Sequence, residues 1–191
     1  YFLTNDKLEV DYLKNLIPTA SSKIYEIRSS EYIFTKQEKK SHKHNSILFV
    51  PSLVLLNGVS ILEKSLWEKW ANILKIIINK EGIVDISIKF HPSLKKFPND
   101  VILMKNYFQQ KFPEAKIYKE DYSIESLVKQ HNIIVGDVSS ILIRARYFNE
   151  KKIISIDFNN FSGSDTMKEY PEINYFREGN NLTNLSSYKI K

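Results

Sequence analysis

The sequence contains no cysteine, and only five glycines, six prolines and four arginines in 191 residues. Without cysteine there is no disulfide framework, no thiolate metal site and no thiol nucleophile. That lack is consistent with a reducing compartment. Little glycine and proline, in a chain that is 42% hydrophobic and 26% charged, excludes disorder as the main state. Long apolar runs are missing as well. The most apolar stretches, Ser46–Asn57 and Ile73–Ile78, fall far short of the ~20 residues that a spanning helix needs. No Gly-x-Gly-x-x-Gly, Walker loop, Gly-x-Ser-x-Gly elbow or Asp-x-Asp pair occurs.

What is present suits one globular domain able to bury a sizeable core. The chain begins at Tyr1 rather than Met, with no charged-then-apolar signal segment, so a piece of a longer protein is expected. The net charge of +6 is spread evenly. Residues 1–45 carry 8 basic and 6 acidic side chains, residues 46–100 carry 7 and 5, residues 101–158 carry 9 and 7, and residues 159–191 carry 4 and 4. Nucleic-acid binders concentrate basic charge on one face or arm and favour arginine forks. With 24 of the 28 basic residues being lysine, no nucleic-acid partner is expected. The one dense basic run, Lys39, Lys40 and Lys43 with His42 and His44, suits a solvated linker. Two histidines without carboxylates make a poor metal ligand set, and no metal is expected elsewhere.

Residues 46–158 alternate strand and helix. Ile47–Pro51 is a continuous apolar run, as in a strand buried on both faces. Ser60 and Glu63 form a capping box ahead of a helix whose apolar face is Leu62, Leu66, Trp70, Ile73 and Ile77, ending near Gly82. Strands follow at Ile83–Phe90, Ala115–Tyr118, Asn132–Gly136 and Lys152–Phe158. Between them lie helices from Asn99 or Asp100 to Phe112, from Asp121 or Ser123 to His131, and from Ser139 or Ser140 to about Asn149. This alternation implies right-handed crossovers and a doubly wound parallel sheet, Rossmann-like, of order 3-2-1-4-5. Residues 1–45 read as an N-terminal helical and linker segment, with an amphipathic helix through Leu8, Tyr12, Leu13 and Leu16. Lys23–Phe34 fits either a strand or a short helix, and residues 159–191 read as an irregular or short-helical tail packed on the domain.

In a doubly wound sheet, ligands bind beyond the carboxyl ends of the strands where chain direction reverses. The sequence places Ser52–Asn57, His91-Pro92 and Asp137–Ser140 there. Gly136-Asp137-Val138-Ser139-Ser140 combines a close-approach glycine with two hydroxyls at a helix start, where backbone N–H groups and the helix dipole suit phosphate. The alternative for Asp137 or Ser139 is a plain N-cap. His91 adds a donor, and a charge when protonated, at the same edge. The alternative for His91 is a strand-end imidazole bonded to a backbone carbonyl.

Two segments, Ile88-Lys89-Phe90-His91-Pro92 and Ile134-Val135-Gly136-Asp137-Val138-Ser139-Ser140-Ile141, carry a resemblance. With the trailing Asn149–Ile156, they resemble the C-terminal nucleotide-binding half of GT-B glycosyltransferases of bacterial surface-polymer synthesis. The likeness covers residues 46–158 and is closest to CDP-glycerol glycerophosphotransferases and to bacterial sialyl- and polysialyltransferases. It implies that His91 is the catalytic residue at the donor phosphate, and that Ser139 and Ser140 bind the same phosphate. It implies that Asp137 shapes the turn and that Ser52 faces the phosphate from the opposite side. Arg144, one helical turn from Ser140, is a further phosphate candidate, and Lys119–Ser123 would cradle the base. The implied partners are a CMP- or CDP-activated donor, a glycan acceptor and an N-terminal acceptor domain that supplies the general base. No cofactor is implied. The implied location is cytoplasmic, extending to peripheral association with the inner face of the membrane. The alternative is a non-catalytic nucleotide-binding or protein-interaction module of the same fold.

Overall fold

A computed structural model of the chain describes residues 2–4, 14, 18, 24–26, 45–51, 64–119, 121–137, 139–146, 148, 151–157, 168 and 170–177. The chain divides into two compact units, Tyr1–Lys40 and Ser41–Lys191. The division lies inside the basic run expected to be a linker. In the first unit, β1 (Phe2–Thr4) pairs in parallel with β2 (Ile24–Glu26). A strand at residues 2–4 was not foreseen, and most of the helix expected between the two strands lies outside the described residues.

The second unit alternates β3 (Ser46–Val50), α1 (Lys64–Glu81), β4 (Asp85–Lys89), α2 (Pro98–Lys111), β5 (Lys116–Tyr118), α3 (Ile124–Gln130), β6 (Ile133–Gly136), α4 (Ser140–Ala145), β7 (Lys152–Asp157) and β8 (Ile173–Arg177). All six strands run parallel in the order β5-β4-β3-β6-β7-β8. In terms of this unit the order is 3-2-1-4-5-6, an α/β doubly wound, Rossmann-like sheet. It differs from the expected 3-2-1-4-5 by one added edge strand. That strand, β8, lies in the segment read as an irregular tail. Its Ile-Asn-Tyr-Phe-Arg sequence is short, but Ile173 and Phe176 pack inward against β7 and are buried.

Strand parity sorts the side chains into two layers. On one face Ile47, Phe49, Ile88, Ile133, Val135, Ile154, Ile156 and Phe176 join Trp67, Trp70, Leu74 and Ile77 of α1 and Val101, Met104 and Phe108 of α2 in one core. Phe49 lies 4.6 Å from Trp70 and 5.7 Å from Phe108, ring centre to ring centre, within the range where tilted aromatic pairs attract. The tryptophans are core residues. On the other face Leu48, Ile134 and Ile153 are equally buried, together with Leu127 of α3 and Leu142 and Ala145 of α4. Burial on both faces explains why these strands read as unbroken apolar runs.

Local chemistry sets the boundaries. α2 starts on Pro98 with Phe97 at the cap and no side-chain cap. Neither Asn99 nor Asp100 caps it, because a proline at the first position presets φ and brings no N–H to satisfy. Asp100 instead sits in the first turn, where its charge complements the helix dipole. α3 is capped by Ser123, whose Oγ accepts from the Ser126 N–H. At the end of α3 the buried His131 donates Nδ1–H to the Leu127 carbonyl at 2.7 Å and accepts from the Ser87 hydroxyl of β4 at 2.8 Å. The beginning of the helix that becomes α1, with the Ser60–Glu63 capping box and Leu62, lies outside the described residues.

Candidate functional site

A cleft opens beyond the carboxyl ends of β3, β4 and β6. It encloses about 400 Å³ of empty space, measured out to its open mouth. Val50 and Pro51 extend β3 into it, and Lys89, Phe90, His91 and Pro92 enter from β4. Ser139 and Ile141 come from the β6–α4 turn, and Tyr122 and Ile124 from the start of α3. The chain reverses direction across this sheet edge. It passes outward from β3 to β4 and β5, then returns to β6 on the other side.

His91 and Ser139 are 48 residues apart in sequence and line this one cleft. His91 is partly buried, and its carbonyl accepts from the Leu94 N–H at 3.0 Å, starting the short 3-10 turn Pro92–Lys96. Burial lowers the His91 pKa from its ordinary 6.5, and the Lys89 charge lowers it further. The ring is therefore a neutral donor–acceptor at pH 7.

Ser139 is the N-cap of α4. Its Oγ accepts from the Ile141 N–H at 3.3 Å, and its carbonyl accepts from the Leu142 N–H at 3.0 Å. Those two N–H groups, which sequence reasoning offers to an anion, are thus used inside the turn. The helix is also six residues long instead of about ten, which limits its dipole. Capping occupies a lone pair of Oγ and leaves the O–H proton able to donate. Ser140 is the first residue of α4.

Gly136 has a different role from the one expected. A Cβ there would lie 2.8 Å from the Val50 carbonyl oxygen and 3.1 Å from Val50 Cγ2, with Leu142 at 3.6 Å. The glycine serves strand and helix packing and not the approach of a ligand. Asp137 follows β6 and is half-buried. Arg144 is not among the residues lining the cleft. Its guanidinium lies 3.5 Å from Glu125 and joins α4 to α3. Arg146, at the end of α4, lies 3.8 Å over the Tyr170 ring and 3.8 Å from Glu172. Ser52 lies outside the described residues, as do His42 and His44. Among the described residues no group of three or more His, Asp or Glu is arranged to hold a metal ion, and no helix is long and apolar enough to cross a membrane.

Two lining residues were missed by sequence reasoning. Lys89 ends β4 at 3% exposure, and its Nζ donates to the Phe90 carbonyl at 3.0 Å. Its signal was present: a lysine inside a strand whose neighbours are all apolar or small, two residues before His91. Tyr122 comes from the loop expected to cradle a base. It is 44% exposed, and its ring centre lies 4.8 Å from that of Tyr118. The cleft thus joins a polar end of Lys89, His91 and Ser139 to apolar walls and an aromatic ring. This combination suits an anionic group attached to a flat or apolar body.

Compared with known proteins, the chain matches no family model, no curated protein and no solved structure.

Proposed function

We propose that this chain is the donor-binding half of a GT-B-type glycosyltransferase that takes a CMP- or CDP-activated sugar or alditol and transfers it to a cell-surface glycan. The observation carrying this reading is that one cleft, at the switch point of the sheet, is lined by both His91 and Ser139. In a sugar transfer, the acceptor oxygen attacks the anomeric carbon from the face opposite the phosphate. The bond from that carbon to the phosphate oxygen breaks, and its electron pair stays on the nucleotide. The acceptor proton passes to a general base supplied by an acceptor domain. The His91 imidazole N–H and the Ser139 O–H would donate to the oxygen on which charge develops, and donors placed in advance at such an oxygen lower the barrier. The apolar walls reduce competition from water.

The test is thermal unfolding of the chain with CMP, CDP, UDP, GDP and NAD. A cytidine nucleotide at a hundred times its Kd should stabilise by about 2.7 kcal/mol, or roughly 5–10 °C for a domain of this size. His91→Ala and Ser139→Ala should each shrink that shift while leaving the ligand-free protein folded. Equal response to all five ligands, or none, removes the reading.

A further inference from the structure

Ser87, Lys89 and His91 alternate along β4 and its extension, so strand parity gives them a common side. β4 is not an edge strand, since β3 and β5 flank it. Lysine is almost never fully buried unless it has a counter-charge or a task, yet Lys89 is 3% exposed and lines the cleft. Its Nζ is held at the strand end by the Phe90 carbonyl, 3.0 Å away and one residue before His91. The surrounding lining residues Val50, Pro51, Phe90 and Ile124 are apolar, and a charge among such groups acts on an anion far more strongly than the same charge in water. The helix start offers less than it first promises, because the Ile141 and Leu142 N–H groups are bonded within the turn. His91 is held in its neutral form by burial and by Lys89. The fixed positive charge among the residues lining the cleft is then the ammonium of Lys89.

We infer that Lys89 is the cation that selects the cleft's ligand, and that the cleft takes a phosphate-bearing group whose charge Lys89 neutralises, with His91 and Ser139 contributing hydrogen bonds. This inference rests on the proposed reading of the cleft as a nucleotide phosphate site, and it adds the residue that sets the ligand's charge class.

The experiment measures binding of pyrophosphate, CMP and the uncharged nucleoside cytidine to the 191-residue protein by calorimetry, over a series of salt concentrations. The wild type should bind pyrophosphate and CMP with salt-sensitive affinity. Lys89→Met should weaken both by about 10- to 100-fold, as expected for losing a charged hydrogen-bonding partner, and should flatten the salt dependence. Cytidine binding should be unchanged, and Lys89→Arg should recover much of the loss. In the ligand-free Lys89→Met protein, the His91 ring protons should titrate at higher pH than in the wild type. Should Lys89→Met fail to fold, the wild type still decides: the Lys89 Cε NMR signal must shift as pyrophosphate saturates. If pyrophosphate and CMP bind but Lys89→Met keeps their affinity and salt dependence, or the Cε signal stays put at saturation, the Lys89 assignment is overturned while the cleft reading stands. If neither phosphate probe binds the wild type, both fall.

Discussion

The Val50 carbonyl oxygen sits 2.8 Å from where a side chain at Gly136 would begin. The two residues are paired neighbours on β3 and β6, and the carbonyl is main chain, so it cannot swing aside. Gly136→Ala should therefore destabilise the domain by about 1–3 kcal/mol, the usual cost of overpacking. Urea unfolding would show this as a lower midpoint with an unchanged slope. An alanine variant of wild-type stability would mean the strands are not packed this closely.

The opposite end of the same strand pair is fastened by Asn132. Its Oδ1 accepts from the Ser46 N–H at 2.8 Å and from the Ser46 hydroxyl at 2.7 Å, while Ser46 Oγ accepts from the Asn132 N–H at 3.3 Å. Asn132→Ala leaves the buried Ser46 groups without their acceptor, at a cost of about 1–3 kcal/mol. Because these bonds are at the amino edge of the sheet, away from the cleft, pyrophosphate affinity should stay within about twofold. Calorimetry on the folded variant checks the second half of that expectation.

Acid should weaken the fold partly through His91. Its folded pKa lies below 6.5 because of burial and of Lys89, so the unfolded chain binds this proton more readily. The contribution of the neutral ring is complete above pH 6.5 and declines as pH falls below that value through the lowered folded pKa. His91→Gln should flatten this part of the stability profile, measured as melting temperature against pH between about 7 and 5. A variant curve parallel to the wild type would show that the ring does not titrate in this environment.

Arg144 provides a contrast to the lining residues. Its guanidinium faces Glu125 across a half-exposed ion pair, and such pairs contribute ~0–1 kcal/mol. Arg144→Met should cost less than about 1 kcal/mol and leave pyrophosphate binding unaltered. A large loss of affinity, read by calorimetry, would return Arg144 to the phosphate.

The sheet order was legible because buried parallel strands leave apolar runs such as Ile47–Val50 and Ile133–Val135, and because Gly, Pro and Ser interrupt them at the right places. β8 was not, since five residues with one polar and one basic member, set among asparagines and serines, carry too weak a pattern to outweigh their surroundings. The cleft was partly legible. His91 and Ser139 end and start elements, and topology alone brings element ends together. Lys89 was hidden because a lysine in a strand reads as a solvent-facing residue until both faces are known to be covered. Gly136 was misjudged for the same kind of reason, since its constraint comes from Val50, 86 residues earlier.

Arg146 gives the end of the chain an influence on the cleft that its distance in sequence conceals. The short helix that Ser139 caps at one end is moored at the other by this guanidinium, lying over Tyr170 and against Glu172, just ahead of the sixth strand. A protease nick or a truncation before Tyr170 would cut that mooring along with the edge strand. The damage would reach the serine turn at the cleft's rim, although no lining residue had been touched.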